Sequence, residues 1–173
     1  MSFATQDDVF AVLEDVLPPI FAKFGTYNVA STAPFKRIGF TEAMETYGSD
    51  KPDLRIDLTV TDVTDLLADC GFEAFAGNTV KAIPVSDFTA TRKQIDKLCD
   101  DVYVQAGNKA YWFKLDEKGE LAGGIAKFLG EKKDALVERL GLQPNTFVGL
   151  TCGKKGAAQK AAGVLRNKLG ALC

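Results

Sequence analysis

The chain contains no histidine, and that absence removes more chemistry than any other feature of its composition. Imidazole is the one side chain that titrates near neutrality unperturbed, so general bases, nucleophilic triads and most catalytic metal sites draw on it. Without it, catalysis needs a tuned cysteine, lysine or carboxylate. No apolar run approaches the roughly 20 residues that span a bilayer, and Met1-Ser2-Phe3 leads into acidic sequence rather than a basic leader. A soluble, cytoplasmic protein with no membrane partner is the expectation. Positive charge in excess is missing too: the formal charge is −2, which argues against a whole-molecule electrostatic grip on nucleic acid. Any such contact has to be a local patch. Cys70, Cys99, Cys152 and Cys173 nowhere stand two residues apart, so neither a zinc knuckle nor a redox dithiol is written here. They read as reduced packing thiols, and no metal ligands are expected.

What is present is an ordinary soluble composition, 173 residues of which 46% are hydrophobic and 25% charged. A chain of this size can bury about 70% of its unfolded surface, as one domain with an appendage. Thr5-Gln6-Asp7-Asp8 resembles a capping box, and Val9, Leu13, Val16 and Leu17 follow at helical spacing. Pro18-Pro19 then removes two backbone donors and predicts a kink or an end to that helix, with Phe21 and Phe24 carrying the apolar face to Gly25. Residues 26–34 read as a linker. Phe35 to Ile38 is predicted extended, Thr41 to Tyr47 helical with Thr41 as its cap, and Gly48 to Arg55 a stiff polar loop around Pro52.

Thr59 or Thr61 can cap a short helix carrying Val63, Leu66 and Leu67 that stops at Gly71. Phe72 to Phe75 and Val80 to Val85 are predicted strands joined across Gly77-Asn78. Thr91 with Gln94 forms a capping box ahead of the stripe Ile95, Leu98, Cys99, Val102. Ala110 to Leu115 is a predicted strand, Lys118-Gly119 a turn, and Ile125 to Leu140 one helix or two, closed by Gly141. Phe147 to Thr151 reads as a strand, and Ala158, Ala161, Ala162, Leu165 and Leu169 as the packed side of a last helix. From Phe72 onward this order suits a two-layer α+β domain, an antiparallel sheet covered by helices on one face.

Several segments carry a resemblance that spacing alone does not supply. Phe35-Lys36-Arg37-Ile38, Glu42-Ala43-Met44 and Tyr47-Gly48-Ser49-Asp50-Lys51-Pro52-Asp53-Leu54-Arg55 look like the stretch of bacterial-type aspartyl-tRNA synthetases just ahead of their insertion domain. Thr91-Arg92-Lys93-Gln94-Ile95-Asp96, Ile125-Ala126-Lys127-Phe128-Leu129 and Leu165-Arg166-Asn167-Lys168-Leu169-Gly170 are similar, in the same order, to segments of that insertion, the GAD domain, which an archaeal glutamyl-tRNA amidotransferase subunit shares. Ser2-Phe3-Ala4-Thr5 matches the family shortly after the second class II motif, so the resemblance covers nearly the whole chain. It implies a partial helical and extended segment of the class II catalytic domain over residues 1–60 and a GAD-type domain over 61–173.

The family resemblance further implies a ligase that attaches L-aspartate to tRNA(Asp) using ATP and magnesium, as a homodimer. The family's ATP-binding arginines, aspartate-binding residues and histidine-bearing loop match nothing in this chain. The expectation is therefore no catalytic residue and no cofactor in the piece itself, which can be monomeric, with ATP, magnesium and tRNA belonging to the larger enzyme. A stand-alone tRNA-binding module related to the amidotransferase subunit is the alternative. Departures are local: Thr151-Cys152-Gly153 stands where the family has Gly-Ala-Asp, Pro84-Val85-Ser86-Asp87 replaces a glycine-rich turn, and Pro18-Pro19 interrupts a helix.

Two groups of candidate site residues follow. Ser49, Asp50, Lys51, Asp53 and Arg55 lie in a loop that the family places near its catalytic fold, although the residues by themselves favour a solvated turn. Lys154, Lys155, Lys160, Arg166 and Lys168 fall in a stretch from Cys152 to Cys173 with no acid, and Arg92-Lys93 opens a helix, where the dipole disfavours cations. These seven are the candidate tRNA contacts, against the plainer reading of lysines that solubilise a helix. Gly153-Lys154-Lys155 is not a phosphate loop, because Gly149 is one position too near and Lys155 stands where Ser or Thr is required. Strand alternation sends Trp112 to the face opposite Tyr111 and Phe113, and at least one of the two faces must be core, so base stacking is not expected.

Overall fold

A computed structural model describes residues 3–26 and 32–173, and the chain divides into two compact units, Met1–Ile38 and Gly39–Cys173. Most of the predicted 26–34 linker lies outside the described residues. In the first unit, helix α1 (Gln6–Phe24) opens on a capping box in which the Thr5 hydroxyl accepts from the Asp8 N–H and the Asp8 carboxylate accepts from the Thr5 N–H. It continues through Pro18 and Pro19 to Phe24, so of the predicted kink or end the end does not occur. The helix has no buried residue, so water can reach the carbonyls that two prolines leave without donors. The Phe35 N–H donates to the Glu14 carboxylate, and Arg37 lies over the Phe10 ring and pairs with Asp7.

The second unit is built on a five-stranded sheet in the order β1-β2-β5-β3-β4, every pairing antiparallel: β1 (Thr61–Asp62), β2 (Thr79–Ser86), β3 (Ala110–Leu115), β4 (Leu121–Ala122) and β5 (Thr146–Gly153). The α+β expectation holds. Helices α4 (Arg92–Ala106) and α6 (Lys155–Gly170) cover one face, where Ile83, Val85, Trp112 and Phe147 meet Ile95, Leu98, Val102, Ala161, Ala162 and Leu165. The opposite face, expected to be open, is also covered. Val80, Ala82, Phe113, Val148 and Leu150 pack there against Leu67, Phe75, Leu129 and Leu136, contributed by α3 (Thr64–Leu67), by one-turn 3-10 segments with their flanks and by α5 (Lys133–Leu140). Central strands covered on both sides lose the polar alternation that marks an open face, and seven of the eight residues of β5 are buried.

Three further differences have local causes. Glu73–Phe75 is a 3-10 turn rather than a strand, because Phe72 and Phe75, three residues apart, both pack on Tyr111 with ring centroids at 5.0 and 5.7 Å. β2 accordingly pairs with β1 and β5, and the predicted hairpin across Gly77-Asn78 does not form. Thr41 is not a cap: α2 (Phe40–Tyr47) starts one residue earlier from Gly39 without a side-chain cap bond. Asp62, not Thr59 or Thr61, satisfies the first N–H of α3, accepting from Thr64.

Residues 39–60, grouped by the sequence with the first segment, pack inside the second unit. The expected thiol reactivity follows from burial. Desolvation pushes Cys99 up to about 11, with Asp96 and Asp100 acting in the same sense, and desolvation raises Cys152. Both should stay unmodified at pH 8 by a maleimide that labels an exposed thiol within minutes, as read by intact-mass spectrometry.

Candidate functional site

The Gly48–Arg55 loop begins where α2 ends. Gly48 takes a left-handed conformation (φ 69°) and is the C-cap whose N–H donates to Met44. Its small size is required in addition: a Cβ there would lie 2.4 Å from the Gly163 nitrogen and 2.5 Å from the Gln159 carbonyl, both on α6. Beyond it, charges pair within the loop. Lys51 Nζ reaches Asp50 at 2.7 Å, and Arg55 holds Asp53 through Nε at 2.9 Å and a second nitrogen at 2.6 Å. The Arg55 bonds, side chain before backbone, bring Asp53 down to about 2, and Lys51 lowers Asp50. Both carboxylates are therefore anions at any physiological pH, and neither is tuned to act as a proton donor or acceptor near neutrality.

A second charge cluster lies alongside, and nothing in the sequence reading pointed to it. Lys81, in the middle of β2, is 1% exposed, yet its ammonium reaches Glu45 of α2 at 2.5 Å and Asp62 of β1 at 3.0 Å. Lys155 takes the other Glu45 oxygen at 2.8 Å. Bonds from Lys155 and then Lys81 pull Glu45 down to about 2 against its desolvation. Burial works against ionised Asp62, but bonds from Thr64 and Lys81 outweigh it and its pKa also falls. The available signal was a lysine inside an otherwise apolar strand, which becomes informative only once both faces of the sheet are known to be covered.

The candidate tRNA contacts are not brought together. Arg166 is corrected outright: it is 1% exposed, its guanidinium donating to the carbonyls of Leu58, Ile56 and Asp53, so it presents no charge to a ligand surface. Lys155 is tied to Glu45, Lys168 stands 3.5 Å from Asp101, and Arg92 pairs with Asp96 over the Trp112 ring. Lys93, Lys154 and Lys160 are exposed and, among the described residues, form no ion pair. Asn108 donates to the Cys152 carbonyl, which sets the C-terminal end of α4 beside the start of α6. Lys93, in the first turn of the 15-residue α4, is thereby about 20 Å from Lys154 at 1.5 Å of rise per residue. Trp112 is buried on the face opposite Tyr111 and Phe113, as strand alternation requires.

An open cleft of 610 Å³ lies at the other end of the sheet, lined by Asp87, Lys114, Asp116, Lys118 and Asn145 among others, and none of the candidate residues reaches it. Asp87, at the departure from the family's glycine-rich turn, adopts φ 53°. Among the described residues, no group of His, Cys, Asp or Glu is arranged to hold a metal ion, and no helix is long and apolar enough to cross a membrane.

The geometry is that of an antiparallel α+β domain whose charged loop and buried lysine are held by ion pairs. Residues 1–148 match the family model described as tRNA synthetases class II (D, K and N), and the chain belongs to that family. More particularly, it is 43% identical over 96% of its length to an aspartate–tRNA ligase of Streptomyces avermitilis and 42% identical to that of Streptomyces coelicolor, in each case spanning 28% of the relative. An aspartate–tRNA(Asp/Asn) ligase of Zymomonas mobilis is 41% identical over 99% of the chain, which covers 30% of that protein. The chain thus spans less than a third of the length of these curated relatives.

Proposed function

We propose that this chain works as a stretch of a bacterial-type aspartate–tRNA ligase, with residues 1–60 contributing to the class II catalytic domain and 61–173 forming the GAD insertion. The observation that carries this reading is the 43% identity over 96% of the chain to a protein named aspartate–tRNA ligase. On this reading ATP and magnesium, tRNA(Asp), the homodimer and a cytoplasmic setting belong to the ligase as a whole. The described residues of this chain offer neither imidazole nor a phosphate cradle. Aspartate-dependent exchange of pyrophosphate into ATP tests it: a complete ligase carrying this sequence should exchange, and the 173-residue chain alone should not. Exchange catalysed by the isolated chain would overturn the reading.

The exposed, unpaired Lys154 and Lys160 favour a contact between α6 and the tRNA backbone within the same enzyme. Replacing both with glutamate should weaken tRNA binding at least about fivefold at moderate salt and flatten the dependence of log K on log[salt] by about 1 to 2. Binding that is independent of salt, or unchanged in the double variant, would remove the tRNA contact and leave the domain as a spacer.

A further inference from the structure

We infer that Arg166 is a positioning residue: by holding the Asp53–Leu58 backbone against α6, it sets the shape of the Gly48–Arg55 loop. Three contacts support this, all on one side of α6. At Gly163 the helix meets the backbone of Gly48 so closely that an added Cβ would stand 2.3 Å from the Gly48 carbonyl oxygen. One turn on, Arg166 donates through Nε to Leu58 at 2.6 Å, and through one terminal nitrogen to Ile56 at 2.6 Å and Asp53 at 3.0 Å. Another turn on, a Cβ at Gly170 would meet Ile56 at 2.5 Å. Residues 163, 166 and 170 follow the three- and four-residue steps of one helix face.

The chemistry of the clamp is specific to arginine. A planar guanidinium directs several donors at fixed angles, whereas an ammonium is a compact charge on a flexible stem whose donors have no fixed direction. The carbonyls themselves are those of an irregular segment with few partners of its own: the Ile56 N–H reaches Asp53 at 3.4 Å, and the Val60 N–H closes the segment onto Thr46 at 2.8 Å. Tyr47 completes the seat, its ring 4.9 Å from the guanidinium carbon. Asp53 is the junction, because its carbonyl is fixed by Arg166 while its carboxylate orients Arg55. α6 therefore fixes, through one side chain, the direction in which the loop's charged groups are displayed. The consequence for catalysis rests on the ligase reading, which places this loop beside the reaction; the structural coupling does not.

Arg166→Lys tests both parts. In the 173-residue chain, amide hydrogen exchange at Arg55, Ile56 and Val60 should accelerate about tenfold or more, while paired amides of β2 and β5 change by less than about threefold. In a complete ligase carrying this sequence, the same substitution should lower kcat/KM for aspartyl-adenylate formation by about tenfold, with the thermal midpoint shifted by only a few degrees. Unchanged loop exchange, or exchange that rises equally in the sheet, would overturn the positioning role, and unaltered kinetics would overturn its consequence for catalysis. An unsubstituted ligase that makes no adenylate would instead sink the ligase reading and leave the exchange result intact. Should the variant not fold, native-state exchange in the unmodified chain decides: Ile56 and Val60 should open with the same denaturant dependence as the amides of α6, and independent opening refutes the coupling.

Discussion

Gly163→Ala should destabilise the 39–173 unit by about 2–3 kcal/mol, a drop of roughly 10 °C in the unfolding midpoint. The sign is what makes the measurement informative. Within a helix, alanine in place of glycine ordinarily stabilises by up to about 1 kcal/mol, because it restricts the unfolded chain. At position 163 the added methyl would lie 2.3 Å from the Gly48 carbonyl oxygen, and the obstruction is backbone, which has no rotamer to yield. Gly156 of the same helix has nothing within 4 Å of its would-be Cβ, so Gly156→Ala should be neutral or stabilising. Urea unfolding of both variants reads the difference directly. Equal effects at the two positions would mean that α6 does not pack on the end of α2 at this spacing.

The second large effect is an asymmetry within the Lys81 cluster. Removing one member of a buried pair leaves a charge without compensation, at a typical cost of about 3–5 kcal/mol, whereas replacing the buried charge by an apolar group of similar volume is often neutral. Lys81 is the buried member, while the Glu45 side chain is 33% exposed. Glu45→Ala leaves the ammonium with Asp62 alone, and because Glu45 is partly solvated the loss should be about 2 kcal/mol. Lys81→Met should cost less than that, although it removes the more central group. Acid titration supplies a second check. Glu45 is lowered from 4.5 to about 2, so its contribution is complete above the unfolded value and is lost as pH falls from about 4.5 towards 2. Glu45→Gln should flatten that part of the stability curve.

Much of this fold is legible in the residues, and the parts that are not share a cause. α4 is announced twice, by Thr91 with Gln94 at its start and by the stripe Ile95, Leu98 and Val102, and all of it forms. β3 is announced by its run of aromatics, and the Trp112 orientation follows from the alternation of side chains along any strand. The Phe72–Phe75 turn was misread because two aromatics three residues apart suit a single 3-10 turn as well as a strand, and only the partner ring of Tyr111 decides. Pro18-Pro19 misled because helix propensity penalises proline without regard to whether the emptied carbonyls are wet.

Arg166 shows how a candidate site can be misjudged from charge alone. Counted among cations in an acid-free stretch it reads as surface, yet it follows Ala162 by four residues and precedes Leu169 by three, which places it on the packed side. What hid its burial is that its partners are main-chain carbonyls more than 100 positions earlier, which leave no imprint on side-chain chemistry.

The outermost strands of the sheet, Thr61–Asp62 and Leu121–Ala122, are each two residues long. Each offers a neighbouring polypeptide at most a two-residue ladder, and in the flank of β2 that β1 leaves uncovered Pro84 has no N–H to give. Sheet borders of this kind limit edge-to-edge pairing between copies of the chain while many are being made at once.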